Sequence, residues 1–234
     1  MGELAAMLGV DKSTVSRLAA TLAERGFLER APGSEAFRLG PELGRLGMLA
    51  VASSHNLVEL ARGPMERLAE KTTETVNLAV LEDHKAINVM QIDGPHLVGV
   101  GDWTGWKTEP HTTANGKVLL TFAEGAFEDL PLKYPLEAFT ERTITSVEDL
   151  RSELERVRVE GWASTLGELE EGFNGVAVPV FDASGHCVAA LSVSGPVYRM
   201  TQERLPEVAA LCKEAAEEIG VRLGGARGAS RVSD

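Results

Sequence analysis

The chain holds 234 residues, 44% of them hydrophobic and 25% charged, with a formal net charge of −12. Such a composition belongs to a folded globular chain of one large or two modest domains, not to a disordered or fibrous one. No run of about 18 apolar residues occurs and no charged-then-apolar leader opens the chain, which argues against a membrane span and a signal peptide. Cys187 and Cys212 read as core thiols and fit a reducing cytoplasm.

Leu4, Ala5 and Leu8 fall on one side of a short helix that Gly9 can end through positive φ. Asp11 or Ser13 can cap the next helix, whose stripe is Val15, Leu18, Ala19 and Leu22. Away from that stripe stand Lys12, Ser13, Thr14, Ser16 and Arg17. Short hydroxyls and cations at a helix start suit a DNA major groove, where hydroxyls and amides meet phosphates and Arg or Lys reaches base edges. The plainer alternative is a helical hairpin whose polar face is only hydrated. Residues 26–30 and 36–40 then form two extended runs about Pro32-Gly33-Ser34, a hairpin by its turn residues. Directly after a recognition helix such a hairpin is a wing, with Arg30 and Arg38 placed against backbone phosphate; otherwise it only covers the helix pair.

Charge divides unevenly. Residues 1–40 carry five cations and five carboxylates, and residues 41–56 add Arg45 against Glu42, so the whole −12 lies beyond residue 56. An acidic body repels DNA, so contact falls to the neutral head. From Pro41 to about residue 56, Leu43, Leu46, Gly47 and Ala50 mark a linker helix with an apolar side for a second copy of the chain, unless it folds back on the body.

The body opens with a helix from Leu57 to Lys71, which Pro64 should kink or delay. Thr75 to Leu81 and Ala86 to Ile92 alternate as strands about Asp83-His84, and a third run spans Leu97 to Val100. Trp103 and Trp106 sit in a glycine-bearing loop, as part of the core, a subunit contact or a wall for an aromatic ligand. Thr112 or Thr113 caps a helix through Val118-Leu119-Leu120; its first-turn amides, with Lys117, make an anion site. Residues 131–139 read as a connector with short helical turns. Ser146 caps a helix through Leu150, Leu154 and Val157. Gly175 to Phe181 and Cys187 to Ser194 form a hairpin in which Pro179 requires an edge or bulge. On its second strand Val188, Ala190, Ser192 and Ser194 share one face. Thr201 caps a closing helix with Leu205, Val208, Cys212, Ala215 and Ile219 buried, and residues 224–234 read as a disordered tail.

The segments LAAMLGVDKSTVSRLAATLAERGFLER, FRLGPELGRLG, ETVNLAVLE, HTTANGKVLL, RTITSVEDLRSELERVRVEGWA and GVAVPVFDASGHCVAALSVSGPVYRMT run in one order over residues 3–220. In that order and spacing the chain resembles the IclR family of bacterial transcription regulators. The resemblance implies an α+β protein: a winged helix-turn-helix domain over residues 1–40, a linker helix over 41–56, and a GAF-like effector-binding domain with a mostly antiparallel sheet over 57–223. Family members carry another helix ahead of the point where this chain begins, so the head is expected to be N-terminally shortened, with Leu4, Leu8 and Leu22 left to receive that helix. It further implies a small or aromatic carboxylate effector, held by Ala114, Asn115, Gly116, Lys117, Ser192 and Ser194, with Val100, Glu171 and Gly175 at further pocket positions. Relatives often place a cysteine where Gly175 stands, so this pocket gains room and loses a thiol. Trp103 is this sequence's own addition to the effector set. Expected partners are double-stranded operator DNA, the effector and a second copy, as a homodimer or a dimer of dimers.

Enzyme signatures are absent: no GxSxG elbow, HExxH, paired CxxC or GxxxxGK[ST] occurs. His186 and Cys187 are strand neighbours and point to opposite faces. The five histidines are scattered without metal-ligand spacing, and Glu168, Glu170 and Glu171 read as surface charge. No catalytic residue, metal or cofactor is assigned, and the competing reading is an enzyme, or a degraded one, tethered to DNA.

Overall fold

The computed structural model describes residues 2–30, 36–128 and 136–224. The turn at Pro32-Gly33-Ser34, the start of the 131–139 connector and the tail beyond Gly224 lie outside the described residues, as do the side chains of residues 44–56 that would form the linker's apolar face. The chain forms two compact units, 1–56 and 57–234.

In the first unit α1 (Gly2–Leu8) ends at Gly9, where φ is +64°. Asp11 caps α2 (Lys12–Glu24) by accepting from the Thr14 amide at 2.9 Å. α2 buries Val15 and Ala19 but leaves Leu18 and Leu22 53% and 43% exposed; Leu18 was expected in the buried stripe, whereas Leu22 is one of the residues expected to await a preceding helix. Leu4 and Leu8 are exposed too, so among the described residues the apolar stripe is wider than its cover. β1 (Leu28–Arg30) and β2 (Phe37–Leu39) pair antiparallel as the predicted hairpin, with Glu29 opposite Arg38.

The predicted linker and first body helix are one element, α3 (Pro41–Thr72), which Pro64 neither starts nor ends. A proline cannot donate to the carbonyl four residues back. Here that carbonyl, on Leu60, accepts from Arg222 at 3.3 Å, so the gap in the ladder is filled from another helix.

The second unit is built on a six-stranded antiparallel sheet in the order β5-β4-β3-β8-β7-β6. β3 (Thr75–Glu82) and β4 (Lys85–Ile92) turn at Asp83-His84, both with positive φ. β7 (Phe173–Phe181) and β8 (Cys187–Pro196) form the second long hairpin. Residues 97–100 are not a strand; β5 is instead Lys107–Thr108, and β6 (Ala163–Leu166) was not foreseen. β6 pairs with β7 only as far as Ala177, so Pro179 faces an open edge, where its missing amide costs nothing.

One sheet face carries Leu78, Val176, Val178, Leu191 and Val193 against Met65 and Leu68 of α3 and Val208, Cys212 and Ile219 of α6 (Leu205–Arg222). Each such side chain contributes about 1.5–3 kcal/mol relative to exposure. The other face bears the small residues Ala79, Ala86, Ala177 and Ala190 under Val118 and Leu119 of α4 (Ala114–Phe122), with Val157 of α5 (Val147–Glu160). Val188 was expected beside Ala190. The register shifts between Val180 and Phe181, so that Val180 faces Ala189 and Phe181 faces Cys187, which leaves Val188 without an opposite residue, and it packs with the larger cluster instead.

Ser146 caps α5 as predicted, accepting from the Asp149 amide at 3.2 Å. Thr201 does not cap α6, which starts at Leu205 with Arg204 as a cap residue whose side chain makes no capping hydrogen bond. A helix begun at Thr201 would need an amide at Pro206, whereas in the first turn none is required.

Candidate functional site

The small-residue face of the sheet stands away from the start of α4 and leaves a cavity of about 100 Å³. Its floor includes Asn77 of β3 and Ser192 and Ser194 of β8, all on the face shared with Ala79 and Ala190. α4 presents Ala114 and Asn115 to it, and β7 borders it at Asn174, whose side chain turns to the opposite face of the sheet. Thr113, not Thr112, caps α4 by accepting the Gly116 amide at 3.0 Å, and its carbonyl takes the Lys117 amide. The amides of Ala114 and Asn115 are therefore left at the cavity, at the positive end of a helix. A Cβ on Gly116 would lie 2.2 Å from the Pro110 carbonyl oxygen, so only glycine lets the helix start pack here. At Gly175 a Cβ would lie 2.9 Å from Ser194 Oγ, so this glycine keeps open the space around a cavity hydroxyl.

Several cavity groups are buried and polar. Asn77, Asn115, Asn174 and Ser192 are each at most 8% exposed. The Oδ1 atoms of all three asparagines have no hydrogen-bond partner within the protein. Asn174, in step with Val176 and Val178, turns its side chain away from the cavity to the α6 side of the sheet, where Nδ2 donates to the Met200 carbonyl at 2.7 Å. Asn115 Nδ2 reaches Asn88 Oδ1 at 3.4 Å.

Lys117 does not reach the cavity as an anion partner. Its side chain is buried and Nζ lies within 2.8 Å of both Glu168 oxygens, 3.4 Å from Glu153 and 3.1 Å from the Ser164 carbonyl. Glu168, expected as surface charge, is buried at the cavity edge, and burial raises its pKa above the ordinary carboxylate value. Burial also raises that of Glu153, but hydrogen bonds from Arg156 and the charge of Lys117 outweigh it, and the net direction is down. The only sequence signal for this pairing was an apolar helix carrying one lysine, which needs a buried partner.

Of the effector positions expected from sequence, Val100, Trp103, Ala114, Asn115, Ser192 and Ser194 line the cavity. Gly116, Lys117 and Gly175 stand behind its wall, and Glu171 is exposed away from it, while its neighbour Glu170 lines the rim. Trp103 also borders an adjoining hollow of about 360 Å³ that reaches the exposed Trp106. The two indoles lie 5.4 Å apart, and the Trp103 amide donates to Gln91 at 3.0 Å. Asn77 was missed because a single asparagine on a strand carries no spacing pattern.

In the first unit Lys12, Ser13, Ser16 and Arg17 are exposed on α2 and Thr14 is half-buried. The Ser13 and Thr14 hydroxyls donate to Asp11 at 2.5 and 2.7 Å, which holds that carboxyl well below the usual range. Arg17 reaches Thr14 at 3.5 Å. On the hairpin, Arg38 pairs with Glu29 at 2.7 Å, and Arg30 lies over the Phe37 ring at 5.3 Å. Among the described residues no group of three or more His, Cys, Asp or Glu could hold a metal ion, and no helix is long and apolar enough to cross a membrane. Burial pushes the Cys187 thiol up to about 12 and raises that of Cys212.

Comparison with known proteins agrees along the whole chain. The IclR helix-turn-helix domain matches residues 1–32, and the bacterial transcriptional regulator IclR C-terminal domain matches residues 49–221. The HTH-type transcriptional regulator KdgR of Escherichia coli K12 is 33% identical over 223 residues, covering 95% of this chain and 84% of that protein. A crystal structure of an IclR-type regulator from Silicibacter sp. TM1040 superposes with a TM-score of 0.70 at 30% identity, over 97% of this chain and 90% of the other. An IclR homologue from Microbacterium hydrocarbonoxydans, complexed with 4-hydroxybenzoate, gives 0.67 at 26% identity over 95% and 90%. These relatives are regulators, not enzymes, which removes the tethered-enzyme reading. With a DNA-reading head and an effector-binding body both matched, the chain belongs to the IclR family of DNA-binding transcription regulators.

Proposed function

We propose that this regulator is controlled by a small carboxylate bound in the body's polar cavity. The observation that carries the reading is the pair of α4 amides, on Ala114 and Asn115, that no protein group claims, beside the buried Ser192 hydroxyl. Amides at a helix start favour an anion, and the 4-hydroxybenzoate held by the Microbacterium relative is a ligand of that charge. Val100 and Trp103 cover the ligand, while Gly116, Lys117, Gly175 and Glu171 act from behind or beside the wall.

DNA is read by residues 1–40: Lys12, Ser13, Thr14, Ser16 and Arg17 enter the major groove and Arg30 and Arg38 grip phosphate. Residues 41–56 join this domain to the effector-binding domain, 57–223, and a homodimer, in the cytoplasm, places two heads on a near-palindromic operator. The effector alters operator binding only if it binds two arrangements of the dimer with different affinity.

The test is a melting screen of the purified chain across carboxylates, followed by operator binding with and without each hit. A hit that raises the melting temperature and changes operator affinity supports the reading. Arg17→Ala is expected to weaken operator binding about tenfold or more while leaving the ligand shift intact. Equal loss of both would end the assignment of separate roles.

A further inference from the structure

The segment that leads to Val100 and Trp103 at the cavity has little to hold it. Residues 95–99 are exposed, Leu97 and Val98 among them, and Gly99 and Gly101 bring no side chain to pack. Among the described residues one hydrogen bond reaches residues 95–100, from Arg199 Nη2 to the Val98 carbonyl at 2.8 Å. That arginine is itself held from two sides. Its Nε and Nη2 donate to the two Glu74 oxygens at 2.6 and 2.9 Å, and its carbonyl accepts from Arg204 at 2.9 Å. The Glu74 side chain is 1% exposed, and a Cβ on Gly195 would collide with its Oε2, so glycine makes the space for this carboxylate. Replacing a buried ion pair by well-packed apolar side chains is often neutral or stabilising, so stability alone does not account for this one. What the pair adds is a guanidinium fixed by a bidentate contact, with a donor left over for the segment beside the cavity.

We propose that Arg199 is the latch of the effector cavity. Braced on Glu74, it holds the Val98 carbonyl and with it Val100 at the cavity wall, and the effector enters and leaves when that bond opens. Opening so sparsely packed a segment is a local event that leaves the sheet folded. The assignment rests on the cavity being the effector's site, but not on the effector's charge.

Access to the cavity can be read without an effector. Ser192→Cys, a near-isosteric change at a buried cavity position, supplies a thiol in the full chain. Methyl methanethiosulfonate labels it, and mass spectrometry follows the rate peptide by peptide. Cys187 and Cys212, whose thiols burial keeps protonated, report global opening in the same molecules. Arg199→Lys keeps the charge but cannot serve both Glu74 oxygens and Val98 at once. Glu74→Gln combined with Arg199→Met removes the pair without stranding a buried charge. In both backgrounds the thiol introduced by Ser192→Cys is expected to label about tenfold faster or more, as loss of one charged hydrogen bond implies, while Cys187 and Cys212 keep their rates. An unchanged rate at that thiol would overturn the latch. So would an increase shared equally by all three thiols, which marks a loss of global stability, or a return to the wild-type rate in the double variant. Each of these results leaves the carboxylate reading standing. A screen in which no carboxylate shifts the melting temperature removes that reading and leaves the latch to be decided by labelling.

Discussion

At the start of α4 a single hydrogen atom decides whether the helix can reach its place. A methyl group on Gly116 would meet the oxygen and Cα of Pro110 at 2.2 and 2.3 Å, both backbone atoms that cannot swing aside. Gly116→Ala is therefore expected to cost about 3 kcal/mol or to prevent folding, read from the denaturant midpoint. On the hairpin, Glu29 pairs with Arg38, the side chain proposed to grip phosphate. Glu29→Gln should raise operator affinity a few-fold at low salt, with the gain fading as salt rises; an unchanged affinity would place Arg38 off the DNA. Residue types in the HTTANGK segment predict an anion-binding turn, and of that segment Ala114 and Asn115 line the cavity. Lys117 was legible as a cation but not as a buried one, because its carboxylate partners lie 36 and 51 residues further along the chain.

At the scale of elements, the Lys117 contacts tie α4 to α5 and to the segment after β6. Lys117→Met leaves Glu168 buried without its partner and is expected to cost about 3–5 kcal/mol, part of which Glu168→Gln in the same chain should restore. The Glu168 shift also has a pH signature. Its folded pKa lies above the unfolded value near 4.5, so the folded state holds this proton more tightly. That contribution is complete below about pH 4.5 and is lost as pH rises through the raised value. The stability of the wild type relative to Glu168→Gln should therefore fall between pH 4.5 and 7, by chemical denaturation; a flat or rising difference would contradict the assignment. For α3, Arg222→Ala removes the donor to the Leu60 carbonyl and should cost about 1 kcal/mol. Long elements were readable because their periodicity and caps are local: Ser146 and the β7–β8 turn lie where the residue types place them. β5 and β6, of two and four residues, exist because a neighbouring strand offers them an edge, and no local pattern records that.

Across the whole molecule the charge partition governs partner choice. The net −12 belongs entirely to residues 57–234, so binding to random duplex should be weak and should vanish steeply with salt. Replacing Arg30 or Arg38 by Ala is expected to lower the salt slope of operator binding by about one, without changing which sequence is preferred, in a salt titration of labelled operator. Sequence by itself determined the two-part plan, the recognition helix, the hairpin, the antiparallel pairs and the family, since each is carried by local period, turn chemistry or motif order. Tertiary structure alone decided that Leu18 stays exposed, that Glu168 is buried, and that Asn77 and Asn115 meet at the cavity. Whether a side chain is covered or answered depends on atoms tens of residues away, and a strand position and a helix position meet around one cavity only when the sheet has formed.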